Sequence, residues 1–237
     1  MAKLKAPGQM LRIDGKNCFA EVMCGSLPID KVLINFVAYN ANNAKGSRET
    51  GHVSIYMNIF EAKVLAGDIL SGKLARDAKE KEAEAAAKAA LPENKGKRFY
   101  PEPSYLLLGG TSANRTSDNK PISRQFKISK GVSMPWVLEA TSGPGKTIGK
   151  GLIAPDGLPT TVIRIGMKDE TIKQFAYAIQ MCCDLWAQAK YLPVLEPLMA
   201  EVKAQTEAAF KALSDGNQGG SNNGAMFENV EEDELPY

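Results

Sequence analysis

His52-Val-Ser-Ile-Tyr-Met-Asn-Ile59 runs directly into Phe60, and Thr160-Thr-Val-Ile-Arg-Ile165 runs by way of Met167 into Asp169. Both stretches are rich in β-branched residues, which suit a pleated, half-buried strand. After each, the apolar period changes from two to between three and four. Phe60, Val64, Gly67, Leu70 and Leu74 share one helical face after the first, and Ile172, Phe175, Ala176, Ile179, Cys183 and Trp186 share one after the second. The join of strand to helix therefore occurs twice. This pattern predicts an α+β protein in which a curved antiparallel sheet carries duplicated strands-then-helix units.

Working outward, Lys31-Val-Leu-Ile-Asn-Phe-Val-Ala-Tyr39 reads as a strand that pairs with 52–59 across a Gly/Asn/Ser turn. The first helix begins near Phe60 and continues through Lys79-Glu-Lys-Glu-Ala-Glu-Ala-Ala-Ala-Lys-Ala-Ala90 until Pro92, its Ala/Glu/Lys end projecting into water. In the second half Tyr105–Leu108, Ser123–Ile128, Trp136–Ala140 and 160–165 read as strands separated by Gly and Pro. The helix from Asp169 is expected to break at Pro193 and Pro197, with a last helix from about Leu198 to Leu213. Over about residues 17–190 this order resembles the Whirly and transcriptional-coactivator class of single-stranded-DNA-binding folds. In that class a curved antiparallel sheet meets a helix that packs against it or against a partner subunit, so the resemblance implies a homo-oligomer. An elaborated OB-fold is the alternative, although a small Greek-key barrel leaves no obvious place for two substantial helices.

Charge is distributed unevenly. The last 24 residues, from Ser214, hold six acids and no Lys or Arg, which leaves 29 cations against 21 acids, a net +8, on residues 1–213. A basic body joined to an acidic arm points to a polyanion-binding surface and a separate recruiting element. Residues 214–226 are mostly Gly, Asn, Gln and Ser with little that can hold a core, and read as a flexible linker. Residues 227–237, Phe-Glu-Asn-Val-Glu-Glu-Asp-Glu-Leu-Pro-Tyr, place acids before an aliphatic residue, Pro and an aromatic end. This tail resembles that of bacterial single-stranded-DNA-binding proteins, with Tyr237 where that family usually ends in Phe. The resemblance implies a tip, Asp233, Glu234, Leu235, Pro236 and Tyr237, that docks replication and repair proteins, on a domain spanning 1–213 that holds single-stranded DNA.

Binding single strands takes cations along the phosphate track and exposed rings on which bases stack. Two segments offer both, Lys95, Lys97, Arg98, Phe99 and Tyr100, with Tyr105 close behind, and Arg124, Phe126, Lys127 and Lys130, followed by Trp136; a third offers cations alone, Lys146 and Lys150 in a Gly-rich, hairpin-like loop. In the second segment strand alternation sends Gln125 and Lys127 to one face and Arg124, Phe126 and Ile128 to the other. Ala140-Thr-Ser-Gly-Pro-Gly-Lys-Thr147 has the look of a P-loop end, but Ala replaces its first Gly and three glycines and a proline follow where a helix must start. His52 reads as a strand residue, and Cys18, Cys24, Cys182 and Cys183 as reduced core residues. The expectation is thus a non-enzymatic protein without cofactor or metal, cytoplasmic because no leader or membrane span is evident. A phage-type strand-annealing or recombination protein is the alternative, and a P-loop-like enzyme a lesser one.

Overall fold

The computed structural model describes residues 8–116 and 118–216, and the side chains of 112–115, 150 and 213–216 are outside that description. Most of the linker and the whole acidic tip, Asp233 to Tyr237 included, therefore lie outside the described residues. The chain divides after Gln188 into two units.

The first unit is mixed α+β with two antiparallel sheets. Strands β1 (Gln9–Gly15), β2 (Cys18–Met23), β3 (Lys31–Tyr39) and β4 (Glu49–Asn58) form a meander. Asn17, in the left-handed region at φ 58°, makes the first turn tight, as asparagine can at low cost. Ile13, Ala20, Phe36 and Val53 pair in one cross-strand row on the buried face. Helix α1 (Ile59–Leu70) follows, its first turn capped by the Asn58 side chain, which accepts from the Phe60 amide at 2.9 Å. The single long helix expected from the sequence is two: Gly72, at φ 74°, ends α1 and α2 (Lys73–Ala90) starts beyond it. The buried face of α1 is Ile59, Ala62, Leu65, Ala66 and Ile69, while Phe60 and Val64 are 65% and 64% exposed. Small residues face the sheet because they let the helix axis come close to it.

The second sheet contains β5 (Tyr105–Arg115), β6 (Pro121–Lys130), β7 (Trp136–Ile148), β8 (Leu152–Pro155) and β9 (Thr161–Met167). β7 is long enough to take three partners: it pairs with β6, with β9 over 136–142, and with β8 over 145–148. β8 folds back over β5 and β7. A Cβ at Gly110 or Gly145 would lie 3.0 or 2.6 Å from Ile153, so glycine is what permits this approach. Strands β1, β2 and β8 were not expected from the sequence.

The two sheets share one core. Phe36 of β3, Phe126 of β6 and Phe175 of helix α3 (Asp169–Gly216) stack in series, with centroids 5.8 and 6.3 Å apart. Two buried indoles fasten the ends: Trp136 Nε1 donates to Asp169 at 2.8 Å, and Trp186 Nε1 to Asp30 at 2.6 Å. Pro193 and Pro197 do not interrupt α3. Proline frees the carbonyl four residues back, and Ala189 and Pro193 lie in an exposed stretch where water can satisfy it. The second unit's described residues, 189–216, are this helix alone, with Tyr191, Leu192, Leu195, Leu198, Met199, Val202 and Phe210 exposed.

Candidate nucleic-acid interface

Alternation gives each sheet an outward face opposite the core. On the first sheet that face carries Arg12, Phe19, Leu33, Tyr39 and Tyr56. The Arg12 guanidinium sits 3.6 Å above the Phe19 ring, which in turn lies 6.1 Å from Tyr39. On the second sheet Lys127, Glu139 and Arg164 stand side by side on three neighbouring strands. Glu139 accepts from Lys127 Nζ at 3.2 Å and from Arg164 Nε at 2.5 Å.

Between the faces, the edge strands β4 and β5 border a cleft of about 250 Å3 lined by Lys31, Ser54, Tyr56, Leu108, Gly110 and Arg124 among others. Two cations and a ring thus meet where no backbone ladder joins the sheets. Tyr56 is 48% exposed, so part of its ring is open to solvent at the cleft. At one end of both sheets the strand connections bring Lys16, Lys45, Arg48, Lys120 and Lys146 into solvent. Lys120 is held by Asp156 at 2.7 Å, a contact that keeps the Asp156 carboxyl below its ordinary range.

The residues expected from the sequence are distributed over several surfaces. Lys95, Lys97, Arg98 and Tyr100 are exposed. Phe99 and Tyr100 line a groove of about 570 Å3 beside Ala78, Ala85 and Ala89 of α2, and Lys130 lines it too. Lys130 Nζ also sits 4.3 Å from the Trp136 ring centroid. Arg124 lies in the β4/β5 cleft and Lys127 in the ion row on the other side of the sheet, as alternation requires. Lys146 is exposed near the end of β7, and Lys150 falls in the turn 149–151, its side chain outside the description.

Two aromatic expectations are corrected. Phe126 is fully buried, because the face it shares with Ile128 is the core face, and Trp136 is buried with its N–H committed to Asp169. Neither ring has a face to offer a base. Tyr105 is half-buried on Phe126, with centroids 5.9 Å apart, and donates to Glu61 at 3.3 Å; burial pushes its phenol well above the ordinary range. Its role is to tie α1 to the second sheet. The Ala140–Thr147 segment lies inside β7 and is followed by a turn and another strand. Lys31, Tyr56 and Arg12 were missed by the sequence reading; the signal was their outward parity on strands whose inward residues are apolar.

Comparison with protein-family models, with curated proteins and with solved structures returned no match.

Proposed function

We propose that the chain is a non-enzymatic, Whirly-like single-stranded-DNA-binding protein whose body holds the strand and whose acidic tip recruits replication or repair proteins. The observation that carries this reading is the β4/β5 cleft, where Lys31 and Tyr56 of the first sheet and Arg124 of the second line one opening between the edge strands. Its volume lies below the roughly 300–1,000 Å3 of ordinary small-molecule clefts, which suits one planar ring more than a large cofactor. An unpaired base brings a free π-face to Tyr56 and leaves its phosphate within reach of cations, whereas a duplex hides its base faces in the stack. The twofold order of strands then helix supports the architecture.

The same reading includes self-association, for which exposed apolar residues on two helices are the support. Phe60 and Val64 on α1 and Tyr177 and Met181 on α3 are exposed, and Lys63 and Asp184, 3.6 Å apart, hold these two helices side by side. An apolar surface of this kind on a helical layer suits another subunit. The tip, Glu231 to Tyr237, combines four acids with Leu235, Pro236 and Tyr237, for which a receptor supplies an apolar pocket with a basic rim.

The test is a set of fluorescence-anisotropy titrations with an unstructured single strand and a matched duplex over a range of salt. Single strands are expected to bind more tightly, affinity to fall steeply with salt, and Tyr56→Ala to cost about 1–3 kcal/mol of single-strand binding. Equal affinity for the duplex, or indifference to salt, overturns the proposal.

A further inference from the structure

A second concavity lies on the outward face of the second sheet, away from the β4/β5 cleft. It has a volume of about 240 Å3, its floor is formed by Ser123, Gln125 and Thr141, and one wall by the Lys127–Glu139–Arg164 row. The recess exists because the chain from Pro155, the last residue of β8, to Pro159 passes over the sheet face instead of leaving it open.

Ser123 is only 4% exposed, and its hydroxyl is the one buried side-chain oxygen or nitrogen among the described residues without a hydrogen-bond partner. A buried hydroxyl left unpaired is unfavourable, and such groups in folded proteins usually answer to something that comes to meet them. Ser123 borders the recess with an amide, Gln125, and a second hydroxyl, Thr141, that is almost as buried. Each of these three groups both donates and accepts. Glu139 contributes only acceptors; its two oxygens each hold one cation, and a carboxylate retains lone pairs for further donors.

We infer that this recess seats one nucleobase of the bound strand, and that it favours a base carrying an exocyclic amine. The inference rests on the proposed function and adds a base preference to it. The amine donates to Glu139, the only purely accepting group of the set, and the ring nitrogen and carbonyl beside it accept from the amide and hydroxyls of the floor. Carboxylates accept from the cytosine amine in the same sense elsewhere. Thymine presents a carbonyl at that position, so it places acceptor against acceptor. Arg164 and Lys127 stand at the rim, where the phosphate of the seated nucleotide runs.

The experiment compares oligo(dC) with oligo(dT) of equal length at mildly alkaline pH, where both are unstructured, using the full chain. The intact protein is expected to prefer oligo(dC) by about tenfold. Gln125→Leu, which keeps the size of the side chain and removes its polar edge, is expected to reduce the preference below about threefold, and Ser123→Ala to reduce it by a smaller factor. Tight binding of both homopolymers with equal affinity overturns the base seat and leaves the single-strand reading standing. A preference that persists unchanged in both variants also overturns it. Failure of the intact protein to bind either strand removes the proposed function, and this inference with it.

Discussion

The two halves of the first unit have the same local order, antiparallel strands that end in a helix, yet their outward faces differ in kind. In the first, residues 40–48 join β3 to β4 without crossing the sheet's outward face, which carries Arg12 on Phe19 and Phe19 beside Tyr39. In the second, β7 runs past the stretch paired with β9, returns as β8, and leaves a roofed recess floored by Ser123 and Thr141. The connection from β7 to β9, which carries β8, thus makes a recess with hydrogen-bonding walls where the first sheet has an open aromatic face. The strand order governs the core, and the connection governs the chemistry of the face.

This contrast in the faces over a shared core is open to test. Phe126→Ala is expected to have the largest effect, about 3–5 kcal/mol of stability, since the ring touches Phe36 and Phe175 at once. Circular dichroism during urea titration will read it, and both halves should unfold in one transition; two separate transitions would mean that each sheet has its own core. Next come the indoles. Trp136→Phe and Trp186→Phe each lose a hydrogen bond to a carboxylate and are expected to cost about 1.5–3 kcal/mol, similar in the two cases, by the shift of the urea midpoint. A large inequality would show that the helix ends are not fastened alike.

The smallest effect concerns alkaline pH and sets the halves apart again. Burial pushes the Cys182 thiol on α3 up to about 12, and raises Cys183 and the first sheet's Cys18 as well. A raised thiol pKa means that the fold favours the neutral form. The associated stability is therefore full below the ordinary thiol range, near 9, and falls as pH rises toward about 12. Urea midpoints measured under reducing conditions above about pH 9 should decline, and Cys182→Ala should flatten the decline more than Cys18→Ala does.

The sequence made some of this structure legible and hid the rest for identifiable reasons. β3 was bounded to the residue because Val32, Ile34 and Phe36 alternate with half-buried neighbours between clear turn residues. β1 escaped because Asp14 and Gly15 end it with poor strand formers, β2 because Ala20 and Glu21 occupy its centre, and β8 because four residues give too little period to detect. On α1 the larger residues, Phe60 and Val64, drew attention to the wrong face: the sheet needed Ala62 and Ala66. For the interface, alternation placed Lys127 opposite Phe126 correctly. It had no means of telling that Arg124 would meet Lys31 and Tyr56, since β4 and β5 are neighbours across a cleft and not in a ladder. The recess was further from view, because an orphaned hydroxyl is a property of packing and not of any local pattern.

The three partners of β7 also carry a consequence for the order in which the protein opens. Over 136–142 this strand is paired on both edges, Leu138 lying between Ile128 and Ile165 and Ala140 between Phe126 and Ile163. Releasing its amides to solvent requires both neighbouring ladders to part, whereas β8 can lift from 145–148 without disturbing either. Amide hydrogen exchange should therefore be slowest along 138–140 and far faster in β8. The roof over the recess, which continues from β8, would then open on its own clock while the rest of the sheet stays closed, and on the proposed function that is the motion by which a base would enter.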